Sequence, residues 1–387
     1  MLSTRNFFIS LIFLLLTTWS AGTAAHAQSA YARKMVDTLS SPSFWGRGYT
    51  KDGMLKAAHF IAEEMKAMGL QPLEAQGYLQ PFPMSINTFP GNMQLSINGH
   101  SLQAGRDFLV GPRSRGVKGN FRMDITVEAG VFINREQKVM LVVEPKLVWT
   151  PSQEVEDFTQ IMVKDSLGTQ PINISVDIEQ QFLASFTANN VIGMLRGKEQ
   201  PDSFIVITAH YDHLGGMGRD VYFPGANDNA SGVALMLQLA RHFTHKPAKY
   251  SIIFIAFAAE EAGLLGSKHF AAHPSIPLNK IKFLLNLDLM GNGEEGITVV
   301  NAPAHPQAFD QLVQWNKQHK AFSEIQSRNN AANSDHYPFT EKGVPAFFIY
   351  TKGGSQAYHD IFDRAEQLPL LRFNELESML KAFINGI

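Results

Sequence analysis

The chain has 387 residues, of which 18% are charged and 45% are apolar, and its formal net charge is −2. This composition is typical of a globular protein with a sizeable core and excludes a disordered chain. A near-neutral charge without a basic block gives no indication of binding to nucleic acid or to an anionic membrane surface.

Residues 1–27 have the pattern of a secretory signal peptide. Arg5 supplies the positive charge, residues 7–16 are apolar, and Ala25-His26-Ala27 forms an A-x-A cleavage site. The uninterrupted apolar run is too short to span a bilayer comfortably. We therefore expect cleavage of this segment, no stable membrane anchor afterwards, and a periplasmic or extracellular location in a bacterium.

The chain contains no cysteine. An exported protein without disulfides depends on a large core for its stability, and this length is sufficient for one. Any bound metal would have to be held by histidine, aspartate and glutamate.

An amphipathic helix is predicted near residues 52–68. Asp52 falls in its first turn, Gly69 is suited to end it, and Glu63 and Glu64 are expected on its solvated face. The apolar positions that recur at helical spacing are Met54, Leu55, Ala58, Ile61, Ala62 and Met65.

Short strands with alternating apolar residues follow, from about residue 91 to residue 185. The clearest of them ends at Asn98-Gly99, which is a strong signal for a β-hairpin. We interpret this region as a β-rich insert with one solvated face. It contains no convincing cluster of catalytic residues.

Continuous apolar strands alternate with helical segments from about residue 190 onward. The strands read VIGML, SFIVITA, YSIIFIAFA, IKFLLNLDL and PAFFIY. This pattern predicts an α/β fold in which a mostly parallel central sheet has helices on both faces. We divide the chain into the leader (1–27), the first part of the main domain (28–90), the insert (91–185) and the rest of the main domain (186–387).

Polar side chains follow these strands at the points where the strands end. Because the carboxyl ends of parallel strands meet at one edge of a sheet, imidazole and carboxylate groups should gather there, as a metal site requires. The residues concerned are His210, Asp212, Asp228, Glu260, Glu261, Asp288 and His359.

Each of these residues taken alone has a simpler explanation. His210 could be a hydrogen-bonded structural residue, Asp228 a helix cap, and Asp288 a turn residue. Glu260 and Glu261 could begin a solvated helix. However, two adjacent acids at the end of an apolar strand require a positive partner, and the joint placement of all these groups indicates that the partner is a metal.

His210 and Asp212 are two positions apart on an extended segment and should face the same side. We expect the Asp212 carboxylate to accept a hydrogen bond from the second ring nitrogen of His210 and so to fix the ring. His213 has no comparable argument and is interpreted as a surface or structural residue.

The motifs HYDHLG, GANDNASG, AAEEAGLLGS, NLDLMG and YH occur in this order. Together they resemble the co-catalytic dizinc aminopeptidase family, which also includes glutamate carboxypeptidases, glutaminyl cyclases and the catalytically inactive transferrin receptor. The resemblance covers residues 190–387 and the helix near residues 52–68. It implies a zinc metallopeptidase with a three-layer sandwich fold.

The resemblance also implies two zinc ions per chain. His210, Asp228 and Asp288 would bind one ion. Asp228, Glu261 and His359 would bind the other, so that Asp228 bridges the pair. The family pattern further implies a cis peptide bond between Asp228 and Asn229.

Three further roles are implied by the same resemblance. Glu260 matches the general base, Asp212 the residue that supports a metal-binding histidine, and Tyr358 a tyrosine that hydrogen-bonds the developing oxyanion. Members of the family often carry a protease-associated domain at the position that the β-rich insert occupies here. The segment from Ser334 to Phe339 resembles a family motif near the substrate pocket, without individual roles for its residues.

The activity favoured by these motifs is an aminopeptidase that acts on peptides with a free N-terminus. A glutaminyl cyclase with one zinc ion is an alternative, although Tyr358 and AGLLGS look like the hydrolase branch. A carboxypeptidase or dipeptidase stays open, because the metal cluster does not fix which end of a peptide enters. A non-catalytic binding module is least favoured, since every expected ligand and Glu260 are present.

Overall fold

The computed structural model describes residues 30–75, 77–165 and 172–387. The expected signal peptide, residues 1–27, lies outside the described residues. Among the helices that are described, none combines the length and the apolar character needed to cross a membrane.

The helices lie on both faces of the main sheet. They are α1 (residues 30–39), α2 (Gly53–Ala67), α3 (Gly232–His245), α4 (Leu265–Ala272), α5 (Pro306–His319), α6 (Tyr337–Thr340) and α7 (Phe373–Gly386). The helix predicted near residues 52–68 is confirmed as α2, and Gly69 follows it with a φ of +80°. Leu55 is an exception to the predicted apolar face, because its side chain points outward and is 41% exposed.

Within the part of the chain that the structure describes, the strands form one large sheet and three smaller ones. In chain order they are β1 (Gln71–Pro72), β2 (Leu79–Thr88), β3 (Met93–Ile97), β4 (His100–Leu102), β5 (Phe108–Val110), β6 (Val117–Arg122), β7 (Asp124–Ile125), β8 (Val131–Asn134), β9 (Val139–Glu144), β10 (Thr159–Lys164), β11 (Asn173–Ile178), β12 (Gln181–Leu195), β13 (Gln200–His210), β14 (Gly216–Met217), β15 (Val221–Tyr222), β16 (Tyr250–Phe257), β17 (Ile281–Asp288), β18 (Ile297–Val300), β19 (Ile325–Arg328) and β20 (Ala346–Thr351).

Counted over the described residues, the main sheet has nine strands in the order β1-β12-β16-β13-β17-β20-β18-β19, with β2 also paired to β12. The four central strands, β16, β13, β17 and β20, are parallel to one another. β12 runs antiparallel to β16 on one side of this group, and β18 runs antiparallel to β20 on the other, while β19 is parallel to β18. The predicted α/β fold with a mostly parallel centre is therefore confirmed.

Burial on both faces explains the continuous apolar strands. All eight residues of β16 are buried. Ile252, Phe254 and Ala256 of this strand pack with α1, α2, α3 and α7, whereas Ile253 and Ile255 pack on the opposite face with α4 and α6. Each fully buried Ile or Phe side chain contributes about 1.5–3 kcal/mol of transfer free energy, so the sheet is a rigid support for the groups at its ends.

The β-rich region forms two sheets with the orders β5-β10-β9-β8-β7 and β4-β3-β11-β6. The hairpin predicted at Asn98-Gly99 is confirmed, because Ile97 pairs with His100 across it. These sheets enclose a core that also takes in Leu214 and Phe223 from loops of the main domain. The boundary predicted at residue 185 falls inside β12, which continues from the insert into the main sheet.

Candidate metal centre and active site

A first group of metal-binding side chains converges at the carboxyl end of the parallel strands. His210 is the last residue of β13, and Asp288 is the last residue of β17. The His210 Nε2 atom lies 3.4 Å from Asp228 Oδ1 and 3.4 Å from Asp288 Oδ1. All three side chains are buried, so one imidazole nitrogen and two carboxylate oxygens face a common point away from solvent.

A second group shares Asp228 with the first. The His359 Nε2 atom lies 3.4 Å from Asp228 Oδ2 and 3.0 Å from Glu261 Oε2. The two oxygens of Asp228 therefore face different histidines, Oδ1 toward His210 and Oδ2 toward His359. A carboxylate in this position can bind two cations at once.

The backbone around Asp228 is fixed by neighbouring polar groups. The Asp363 carboxylate accepts hydrogen bonds from Asn227 N and Asp228 N, each at 2.9 Å. The Asn229 side chain donates to Leu287 O at 3.0 Å and so joins this segment to β17. The peptide bond between Asp228 and Asn229 is cis, as the resemblance implied.

Arg47 is a fully buried cation at this site, although no motif in the sequence indicates it. Burial lowers the pKa of its guanidinium to about 10, against the opposing charges of Asp228 and Asp363, so Arg47 stays charged at neutral pH. The guanidinium donates to five backbone carbonyls, those of Leu39, Tyr211, Pro224, Gly225 and Asp228. It thereby ties α1 and the segment after β13 to the segment that carries Asp228.

Asp212 does not contact His210 in the expected way. Its carboxylate Oδ1 lies 3.8 Å from His210 Nδ1, and that ring nitrogen is closer, at 3.3 Å, to the backbone carbonyl oxygen of Asp212. The Asp212 carboxylate instead accepts hydrogen bonds from Glu260 N at 3.1 Å and Glu261 N at 3.3 Å. The expected bond fails because the strand ends at His210. The carboxylate is therefore free to orient the acid pair, and a catalytic role for Asp212 stays a prediction.

The two adjacent acids have opposite tendencies to ionise. Burial opposes ionisation of Glu261, but the rings of His359 and His213 hold the pKa of its carboxyl well below the ordinary value. Burial raises the pKa of the Glu260 carboxyl well above its ordinary value, and the charge of Asp335 adds to this shift. Glu261 is thus suited to bind a cation and Glu260 to accept a proton.

The interpretation of His213 as a surface or structural residue is wrong for the surface position only. His213 is fully buried, and its Nδ1 atom lies 2.8 Å from Glu261 Oε1. Its ring also meets that of His359 edge to face, with centroids 5.9 Å apart. Its position three residues after His210 was the available signal, but spacing alone did not show that the chain carries it into the cluster.

Tyr358 and Asp335 border the same cluster. The Tyr358 side chain is 48% exposed and its ring stacks on the His359 imidazole with a centroid distance of 4.0 Å. Its expected hydrogen bond to an oxyanion stays a prediction. Asp335, in the segment for which the motif gave no individual roles, is fully buried.

The donor groups fit a pair of zinc ions. Zinc accepts histidine nitrogen and carboxylate oxygen, the donors gathered here. Asp288 Oδ1 is buried and makes no hydrogen bond with any described residue, as expected of an atom reserved for a cation. Burial disfavours the charged form of the His359 ring, but Glu261 and Asp228 raise its pKa to about 11. This shift reports a surplus of negative charge that divalent cations would neutralise.

Comparison with known proteins gives a consistent result. The pattern of Peptidase family M28 matches residues 190–384. Aminopeptidase YwaD of Bacillus subtilis (strain 168) is 32% identical over 210 residues, which is 51% of this chain and 44% of that protein. The chain therefore spans less than half the length of this relative.

Two solved structures have the same fold along most of the chain. BSAP, a zinc aminopeptidase from Bacillus subtilis, superposes with a TM-score of 0.68 at 21% identity, covering 92% of this chain and 94% of that one. The Peptidase M28 precursor from Shewanella amazonensis superposes with a TM-score of 0.71 at 15% identity, covering 95% of each chain.

Proposed function

The chain belongs to peptidase family M28, whose pattern matches half of it, and on this premise we propose that it is a zinc-dependent aminopeptidase that removes N-terminal residues from peptides. The match to family M28 confirms the family that the motifs resembled. The observation that carries the activity is the position of Asp228, whose two carboxylate oxygens face His210 and His359 separately. The fold is shared with BSAP, which is a zinc aminopeptidase, and this similarity supports the same proposal.

The residues divide the work of peptide hydrolysis. His210, Asp228 and Asp288 would hold one zinc ion, and Asp228, Glu261 and His359 the other. Bound zinc supplies Lewis-acid chemistry that polarises a carbonyl group and makes water more acidic.

Glu260 is the proton carrier in this proposal. Its raised pKa and its place beside Glu261 suit a base that takes a proton from the attacking water and later delivers it to the leaving amine. Asp212 holds the backbone of Glu260 in place through its hydrogen bond to Glu260 N. Tyr358, at the open side of the cluster, would donate to the oxyanion. The buried carboxylates would also attract the ammonium group at the N-terminus of a substrate.

The carboxypeptidase alternative needs a free cation for the substrate carboxylate. In the structure Lys352 Nζ lies 2.9 Å from Glu324 Oε2, and Arg328 contacts the hydroxyl group of Tyr350. Both of these cations are engaged near the β18–β19 edge of the sheet, so neither is a free partner for a substrate carboxylate.

Substrate and metal requirements test this function together. We expect the purified protein to cleave aminoacyl anilides with a free amine, to lose this activity when a zinc chelator is added, and to regain it on addition of zinc. The N-acetylated forms of the same anilides should not react, because the ammonium group is absent. Release of the anilide chromophore measures each reaction.

Two outcomes would redirect the proposal. Cleavage of the N-acetylated anilides would exclude an aminopeptidase activity but would still be consistent with a zinc hydrolase. Conversion of an N-terminal glutaminyl peptide to its cyclised product, with one zinc ion per chain, would indicate the glutaminyl cyclase instead.

Export from the cytoplasm is a further part of the proposal. The support for it is the leader pattern of residues 1–27 and the lack of cysteine. Expression of the full chain in a bacterium should give a mature protein in the periplasm or medium whose first residue is Gln28. N-terminal sequencing of the secreted fraction measures this, and retention of Met1 in a cytoplasmic fraction would contradict it.

A further inference from the structure

One segment of the β-rich insert reaches the metal-binding loops. This segment, residues 146–153, lies between β9 and β10 and is called the strap below. Trp149 N donates to His359 O at 3.1 Å, and Gln153 Nε2 donates to Ala262 O at 3.0 Å. Since Ala262 directly follows Glu261, the strap contacts the loops that carry Glu261 and His359, two of the three residues of the second metal-binding group.

The strap is fixed at both ends. The Trp149 ring donates from Nε1 to Val110 O at 2.8 Å and stacks on Phe223, with centroids 5.7 Å apart. Lys146 Nζ donates to Gln356 O at 2.7 Å, and Ser152 O accepts from Asn87 N at 2.8 Å. A segment held at these points can present a side chain in a defined position.

The side chain that it presents to the site is Thr150. Its Oγ1 atom lies 3.2 Å from His359 Nδ1, while His359 Nε2 faces Asp228 and Glu261. A neutral imidazole that offers the Nε2 lone pair to a cation carries its proton on Nδ1. The Nδ1–H group therefore donates to Thr150 Oγ1, and this bond opposes rotation of the ring.

We infer that Thr150 is a positioning residue through which the insert holds His359 in its metal-binding orientation. This inference rests on the proposed function, because it concerns the same zinc site. It gives the insert a role in the active site, although its sequence contains no catalytic cluster. The effect should be largest for the zinc ion that His359 binds.

The competing explanation is that Thr150 acts only through packing. Variants that change the size of the side chain and its hydrogen-bond acceptor separately distinguish packing from positioning. Thr150 is exposed, so in Thr150→Ala a water molecule can take the place of the hydroxyl group. Thr150→Val keeps the volume, excludes that water and removes the acceptor. Thr150→Ser keeps the acceptor and removes the methyl group. Ser152→Ala is the matched control, because the Ser152 hydroxyl contacts the backbone of Glu154 rather than His359.

The experiment uses the full chain and measures zinc affinity by competition with a chromogenic chelator. In Thr150→Val we expect the affinity for one of the two zinc ions, the one that His359 binds, to fall about 10–100-fold. The same variant should lose kcat at limiting zinc and regain part of it in excess zinc. Thr150→Ala should lose less than Thr150→Val, and Thr150→Ser and Ser152→Ala should match the wild type. The melting temperature in excess chelator should be the same for all of them.

Two results would overturn the inference. One is a Thr150→Val variant with wild-type zinc affinity. The other is a loss in Thr150→Ser as large as that in Thr150→Val, which would assign the effect to the shape of the side chain rather than to its hydroxyl group. If Thr150→Val does not fold, the comparison of Thr150→Ala with Thr150→Ser decides between the same outcomes. A wild-type chain that neither binds zinc nor cleaves the anilides would contradict the proposed function itself.

Discussion

Replacing Glu260 by glutamine is expected to lower kcat by about a hundredfold or more, the usual contribution of a general acid–base group. Glutamine keeps the size of the side chain and its place after β16, but it cannot accept the proton of the attacking water. Because Glu260 is not among the proposed zinc ligands, the variant should bind as much zinc as the wild type. Anilide hydrolysis and metal analysis of the same sample measure the two quantities.

The neighbouring acid provides the contrast. Glu261→Gln should lose zinc as well as activity, since Glu261 Oε2 faces His359 Nε2 at 3.0 Å. Glu63→Gln, on the exposed face of α2, is the matched control and should change neither. Turnover near the wild-type rate in Glu260→Gln would exclude Glu260 as the general base.

Replacing Arg47 by methionine is expected to give the largest loss of stability. Its guanidinium is a buried cation near Asp228 and Asp363, and removal of one member of a buried charge group costs about 3–5 kcal/mol. The carbonyl groups of Tyr211 and Gly225 would also lose a donor, and an unmade buried hydrogen bond is itself unfavourable. Urea unfolding in the presence of chelator measures this loss without a contribution from bound metal.

Two further variants separate charge from geometry at this position. Arg47→Lys keeps the charge but lacks the planar fork of donors, so an intermediate loss is expected. Arg106→Met, at an exposed position of the insert, should change the free energy of unfolding by less than about 0.5 kcal/mol. A change of that small size in Arg47→Met would show that the carbonyl groups find other donors.

The sequence was informative wherever the signal is local. The continuous apolar residues of β16 predicted a strand buried on both faces, and the acids after it followed from the rule that ligands gather at the carboxyl ends of parallel strands. The same rule predicted His210 and Asp288 at one edge of the sheet. In the structure His210 Nε2 lies 3.4 Å from Asp288 Oδ1. These predictions needed no knowledge of distant contacts.

The remaining groups depend on contacts between distant parts of the chain. Arg47 meets Tyr211 O across 164 positions, and Thr150 meets His359 across 209. No periodicity or motif in either segment indicates such a distant partner. The hydrogen bond between Glu260 N and Asp212 could not be predicted for a different reason. It depends on the turn that follows β13 rather than on the alternation of side chains within the strand.

β12 has a consequence for how the molecule responds to stress. This strand of 15 residues pairs with β2 along its first part and with β16 along its last part. Leu214 and Phe223, from loops beside the metal cluster, are also part of the insert's core. The insert and the peptidase half are therefore joined by shared hydrogen bonds and shared apolar contacts, and they should melt as one cooperative unit. The insert is thus not an exchangeable module, because excising residues 91–185 would cut into β12, a strand paired on both sides within the main sheet.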